Sequence, residues 1–512
     1  MLNIFFQAVD SAGGYQSAVL RELDEKVHFQ TCLMTVKTSD GADAYEPGKY
    51  IPVNYDICEQ NQYDKIVDFN ELLPLDRGLL EAMHPYELTA IRMLVRNYDR
   101  DIYTMDEGMR YYLRHLRFWN HMLLTYEVNY VFFNNTPHHT HDYVIYALAQ
   151  VYGIRTNVCI STNFENRYFL AETLEDAWER TARLYENKYR HMPEVTLPKD
   201  IAQYYDTICH GSKEENEKLV LQGVSRKQEI EDKRRLFRGE MACKKMVKKN
   251  LSRLKWQVLR AENHRMRAEG KEAIRREYRY YQRGRMKLRE MVNTDYYNRI
   301  AGAPQPGEAY IIYFLHYQPE ATSLPQGGVF VDQELAVAVL ARSAKELGYK
   351  LYVKEHFVQP YRNKTFYDDL LNIENVKLIQ TGYDSKELVK GSLCGATGNG
   401  TVVLESVIRG TPMLIFGESG FQGCPGVYRV GSVQDCKAAI ESIRRKKEEG
   451  ISQKDIRAYL AAFGENSLFS YVYNHEGLKK DSPWFQESKE KLIACITERL
   501  RESGLCSLDA GG

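Results

Sequence analysis

The segment Leu315-His316-Tyr317-Gln318-Pro319-Glu320 places an imidazole, an amide and a carboxyl directly after the apolar run Tyr310-Ile311-Ile312-Tyr313-Phe314-Leu315. That run, bounded by Gly307 and Pro319, predicts a strand buried on both faces of a parallel sheet. Ligands of open α/β sheets bind outside the carboxyl ends of the strands, where His316, Gln318 and Glu320 are expected to emerge. The same logic selects Lys354 and His356, which follow the run Leu351-Tyr352-Val353. Two cationic groups at a sheet edge suit a phosphate leaving group, and Arg362 is close enough in sequence to add bidentate contacts. Gly398-Asn399-Gly400-Thr401 leads from one apolar run into a helical pattern, and such a turn presents backbone N–H groups to an anion. Glu405, one turn further on, is placed to accept hydrogen bonds from ribose hydroxyls. Taken singly, these are a polar loop, a few surface charges and a tight turn. Together they make one coherent anion site.

A second cluster, Pro137-His138-His139-Thr140-His141-Asp142, follows the apolar stretch 129–134. It suits an acceptor-side loop in which His138 or Asp142 serves as general base or nucleophile. Asp142 is equally suited to capping the helix that follows. His139 and His141 have a ligand-like spacing, but no Cys or further Glu stands nearby, so no metal is expected. No cofactor is expected either.

These residues need a scaffold, and the hydropathy pattern supplies one. Strands are predicted at residues 3–9, 129–134 and 156–160, with helices at 17–23 and 142–152, which gives a βαβ unit and one Rossmann-like domain over residues 1–210. Residues 211–300 carry no strand pattern and are dense in Lys and Arg. Their apolar positions recur at helical spacing and predict a basic helical insertion. After the linker Ala301 to Glu308, strands at 310–315, 351–354, 376–380 and 412–416 alternate with helices at 333–347 and 401–409. This is a second Rossmann-like domain, residues 301–512, ending in an amphipathic helix at 484–502 that could pack back across the junction. The fold class is therefore α/β, with two Rossmann-like domains facing a central cleft.

Composition narrows the class. A chain of 512 residues exceeds one core. Hydrophobic residues at 44% and charged residues at 27% are those of a soluble globular protein. No apolar stretch approaches the roughly 18 residues of a membrane span, and the start lacks the basic region of a signal peptide. Ten cysteines without a C-x-x-C pair argue for reduced thiols. The expected location is the cytoplasm. Net charge is zero, so the basic insertion is offset elsewhere. Charge runs are most often solvated helix faces; the competing uses are docking on the anionic inner face of the plasma membrane or holding a polyanion. Nucleic acid is not expected, because no recognition motif accompanies the basic residues.

The stretch from Tyr313 to Gly417 resembles the capsule polysaccharide biosynthesis proteins, a family that includes bacterial transferases of the acidic sugar Kdo. The resemblance runs through residues 316–322, Phe330, Asp332-Gln333, Lys354-Glu355-His356, Gly400-Thr401, Glu405 and Gly410-Thr411-Pro412 to Phe416-Gly417. Pro137-His138 and Asp142 are similar less specifically. The resemblance implies a GT-B architecture, a sugar nucleotide on the carboxyl-terminal domain and an acceptor on the amino-terminal one. It further implies a CMP-activated ulosonic acid as donor, with His356 on the CMP phosphate and Glu405 near the ribose. Phe357 stands where the family often has Pro, and Asn399 where it often has Thr. The expected function is a glycosyltransferase that moves a sugar from a nucleotide donor to a surface glycan, with His138, Asp142 or Glu320 handling the acceptor proton or a covalent intermediate. A polyol-phosphate transferase, a sugar-nucleotide epimerase and a non-catalytic glycan-assembly protein are the competing readings.

Overall fold

The computed structural model describes residues 1–10, 14–37, 45–94, 105–164, 166–211, 296–318, 322–356, 362, 364–417, 421–470 and 483–506. The basic insertion lies outside the described residues apart from its last turn, and Glu320 lies outside them too.

Two parallel sheets organise the chain. The first holds β1 (Asn3–Val9), β2 (Thr31–Val36), β3 (Tyr50–Asn54), β4 (Tyr130–Phe133), β5 (Arg155–Ser161) and β6 (Arg167–Ala171). A late strand completes it, giving the order β13-β6-β5-β4-β1-β2-β3. The second holds β7 (Tyr310–Phe314), β8 (Lys350–Lys354), β9 (Val376–Ile379), β10 (Gly395–Thr397), β11 (Met413–Ile415) and β12 (Val427–Arg429), in the order β12-β11-β10-β7-β8-β9. All of its pairings are parallel. In both sheets the order reverses beside the first strand, at β1/β4 and at β7/β10. That reversal is the switch point where doubly wound sheets bind ligands.

The first sheet is flanked by α1 (Tyr15–Val27), α2 (Tyr55–Gln60), α3 (Arg77–Met93), α4 (Met105–Thr125), α5 (Thr140–Val151), α6 (Asp176–Asn187) and α7 (Lys199–His210). Counting described helices only, the second carries α8 (Gln333–Glu346), α9 (Lys364–Asn372), α10 (Ser385–Lys390), α11 (Val402–Ile408) and α12 (Val433–Arg445). Burial explains the strand compositions. β1 is buried at every position, as a strand covered on both faces must be. α5 is buried along nearly its whole length, which is why it reads as apolar all round.

The chain then returns to the first domain. α13 (Gln453–Asn466) packs along α6, with Tyr459 and Tyr185 rings 5.7 Å apart. β13 (Leu468–Phe469) pairs antiparallel with β6. α14 (Pro483–Glu502) covers α1, where the Phe485 ring meets Tyr15 at 5.3 Å. By pairing and packing, residues 453–470 and 483–502 side with the first domain, although they follow the second in sequence. Among the described residues no helix is long and apolar enough to cross a membrane.

Arg167 fastens this return. Its buried guanidinium pairs with Asp200 at 2.5 Å and donates from Nη1 to the Gly464 carbonyl at 3.3 Å and to Ser467 Oγ at 3.0 Å. Hydrogen bonds to charged groups are each worth about 1.5–3 kcal/mol net. Arg167→Ala is therefore expected to lower the unfolding free energy by about 2–3 kcal/mol in urea titrations.

Candidate functional site

At the second switch point the His316 imidazole lies over the glycine turn. A Cβ built on Gly400 would stand 3.6 Å from His316 Nε2, and one built on Gly398 would stand 3.8 Å from its Cδ2. A methyl at either position would come into ordinary van der Waals contact with the ring. The backbone of His316 is clamped independently of its ring. Its N–H donates to Gln333 Oε1 at 2.6 Å, and its carbonyl accepts from Gln333 Nε2 at 3.0 Å and from Arg362. The loops after β10 and β11 close in below, where the Gly417 N–H donates to the Gly398 carbonyl at 2.9 Å.

A buried ion pair positions this edge of the sheet. Arg362 Nε lies 2.7 Å from Glu355 Oε2, both side chains 4% exposed. The guanidinium also donates to Gln318 Oε1 at 2.8 Å, while Gln318 Nε2 donates to the Val331 carbonyl at 2.6 Å. Glu355 accepts from the His356 N–H at 2.7 Å and from the Tyr367 hydroxyl at 2.8 Å. Arg362 and Gln318, expected on the donor, are thus engaged in holding the His316 and His356 loops in place. Burial pushes the Glu355 carboxyl above the ordinary range, opposed by the Arg362 charge and by these donors.

Lys354 is buried at the end of β8 and donates to Ser385 Oγ at 3.0 Å. Burial lowers its pKa, against the pull of Asp384 and Glu355. His356 is partly exposed, and its ring lies 5.8 Å from that of Tyr317. Thr401 is exposed and precedes α11, a helix of seven residues. The turn's own N–H groups, more than a long dipole, therefore make its positive end. Glu405 is 6% exposed, 3.6 Å from Arg409, and burial raises its pKa. The structure thus gathers His316, Gln318, Arg362 and the turn at Gly400, with Lys354 and His356 at the neighbouring strand end.

The amino-terminal loop follows β4 at the first switch point. His138 is partly exposed, with its ring 5.3 Å from His139. His141 and Asp142 are 0% exposed and lie 3.3 Å apart. Asp142 Oδ2 accepts from the Tyr55 hydroxyl at 3.1 Å. Its carboxylate also accepts from the backbone of His139, the N-cap of α5. That is the reciprocal half of a capping box. The buried Asp142 is thus engaged in capping, the second of the two roles its type allowed. His139 Nδ1 lies 2.9 Å from Glu59 Oε1. Glu59 comes from α2, some eighty positions upstream, and no sequence motif signals it. Among the described residues no group of three or more His, Cys, Asp and Glu could hold a metal ion.

The two clusters are linked by a short series of contacts. Thr140 Oγ1 donates to the Ala90 carbonyl at 3.4 Å near the end of α3. Two residues later Arg92 pairs with Asp332 at 2.8 Å across the domain junction. Asp332 adjoins Gln333, the residue that clamps His316.

No family model matches the chain, and no curated protein does. Among solved structures it is similar to Thermosulfurimonas dismutans KpsC, beta Kdo 2,7 transferase, at 13% identity and a TM-score of 0.20, over 30% of this chain and 52% of that one. It is similar to a putative UDP-N-acetylglucosamine 2-epimerase from Listeria monocytogenes at 10% identity and a TM-score of 0.24, over 98% and 97% of the two chains. Anabaena Alr3699/HepE in complex with UDP matches at 12% identity and a TM-score of 0.26, over 98% and 100%. The chain spans about half the length of the KpsC chains it matches. Overlaps at these TM-scores carry no argument; the two Rossmann-like sheets rest on their own strand order.

Two measurements test the site's construction. Arg362→Met leaves Glu355 buried without its counter-charge and is expected to cost about 3–5 kcal/mol of stability in urea unfolding. The second concerns pH. Burial raises the Asp142 carboxyl above its ordinary value. A carboxyl with a raised folded pKa takes up a proton on folding, so its stabilising contribution is greatest below the unfolded value of about 4 and is lost as pH rises through the folded value. Relative to the parent, the melting temperature of Asp142→Asn is expected to improve as pH rises above about 4. An invariant difference would mean that Asp142 titrates alike in both states.

Proposed function

We propose that the chain is a glycosyltransferase that binds a nucleotide-activated sugar at the β7/β10 switch point and transfers the sugar to a hydroxyl of a glycan acceptor presented by the loop after β4. The observation that carries this reading is the His316 ring set over the side-chain-free turn at Gly398 and Gly400. A diphosphate or monophosphate lodged there would meet an imidazole and the backbone of a turn that opens a helix, where its charge develops on departure. Lys354, whose ammonium would offset the phosphate charge, lies one strand over with His356 beside it. Glu405, one turn into α11, suits the ribose hydroxyls. A metal ion is not needed to neutralise the leaving group in this arrangement. The finer reading is a CMP-activated ulosonic acid such as Kdo as donor and a capsule or other surface glycan as acceptor. It rests on the resemblance of residues 313–417 to the capsule polysaccharide biosynthesis proteins. Work at the inner face of the plasma membrane, through the basic segment, belongs to the same proposal.

The test is a panel of CMP-, CDP-, UDP- and GDP-sugars, with nucleotide release as the readout. Release of one nucleotide is expected, and a ligand at about a hundredfold its dissociation constant should add about 2.7 kcal/mol of stability. His316→Ala leaves the backbone clamp intact, so its expected loss of at least about tenfold in turnover, near 1.4 kcal/mol of barrier, reads the imidazole alone. Interconversion of a UDP-sugar without nucleotide release would sink the transferase reading in favour of an epimerase.

A further inference from the structure

The proposed transfer needs a group that takes the proton from the acceptor hydroxyl, and the loop after β4 offers four titratable side chains. Asp142 and His141 are 0% exposed, so neither meets an acceptor directly. His138 and His139 are both partly exposed, and it is His139, 21% exposed, whose Nδ1 sits 2.9 Å from a carboxylate, Glu59 Oε1, itself 31% exposed. Resting on the glycosyltransferase reading, we infer that His139 is the catalytic base of the acceptor half-site, with Glu59 as the residue that positions it.

The chemistry follows from the pairing. With Nδ1–H donated to Glu59, the lone pair of the ring resides on Nε2, as in a nucleophile-activating triad. Nε2 accepts the hydroxyl proton while the hydroxyl oxygen bonds to the anomeric carbon. The bond between that carbon and the phosphate oxygen breaks, and its electron pair leaves on the nucleotide. The imidazolium so formed lies against the Glu59 carboxylate.

The surroundings hold the ring in one orientation. Tyr55, on the same helix as Glu59, meets the His139 ring edge-on at 5.5 Å and the His141 ring at 4.7 Å. Its hydroxyl is tied to Asp142. His139 and His141 rings stack at 5.8 Å, and His115 of α4 lies 6.2 Å behind His141. Among the described residues, the charged and titratable groups around His139 include Glu59 and Tyr55 from α2, His138, His141 and Asp142 from its own segment, and His115 behind. Its place as N-cap of α5, next to Thr140 and the Ala90–Arg92–Asp332 contacts, puts it on the side of the domain that meets the donor half-site.

His139→Asn tests the assignment without disturbing the fold, because Asn is a favoured N-cap and keeps a donor for Glu59. With the donor selected by the nucleotide-sugar panel and alkyl glycosides as acceptors, this variant is expected to lose at least about a hundredfold in kcat. Its nucleotide-induced melting shift should match the parent's. Glu59→Gln is expected to lose about tenfold in kcat at an unchanged donor KM, a split that a merely structural contact would not produce. Added imidazole is expected to restore turnover to His139→Ala. A parent that turns over while His139→Asn keeps a kcat within about twofold overturns the dyad alone. A parent that neither binds nor releases nucleotide overturns the donor reading and the dyad with it.

Discussion

The ion pair between Glu355 and Arg362 is the constraint on which the carboxyl-terminal site depends. Two opposite charges in the interior are costly to desolvate, and the cost is offset only when the remaining hydrogen-bonding positions are also used. Here they are. Arg362 reaches Glu355, Gln318 and the His316 carbonyl, and Glu355 reaches Tyr367 and the His356 N–H. Tyr297 adds a further tie, accepting from the Glu355 N–H at 3.0 Å. One buried pair thereby fixes the loops after β7 and β8 relative to each other. Hydrophobic residues there would pack as well, but they would not orient two polar loops.

Group transfer between two bound molecules gains most from holding both in register. For the proposed transfer, that register would rest on the ties between the two domains. α13 and β13 bind the end of the second domain to the first through Arg167, the tyrosine pair and the β6 edge. Arg92 and Asp332 join the domains beside both loops. That pair is 35% and 43% exposed, so solvent screens it and it contributes little stability.

Strand and helix alternation was legible because it follows from local pattern. Apolar runs such as residues 310–314 and 351–353 are long enough to be buried on both faces and too short for core helices, and they appear as β7 and β8. The glycine turn before α11 was legible for the same reason, since a turn is built from adjacent residues. The roles of Arg362 and Asp142 were not. Both are ionisable types that suit a phosphate or a proton, and both are taken up by partners that other segments bring to them. Glu59 carried no signal, for a lone glutamate on a short helix is an ordinary surface residue until the fold brings a histidine to it.

By itself, then, the sequence determined two Rossmann-like units and which strand ends carry polar residues, because hydrophobic period and turn chemistry act over a few neighbouring positions. Only the tertiary structure decided which of those residues are taken up by partners from other segments. It also decided that residues 453–470 and 483–502 cross back to the first domain. The reason is physical: a side chain's protonation and reach depend on burial and on partners 40 to 300 positions away, and neither can be read from spacing along the chain.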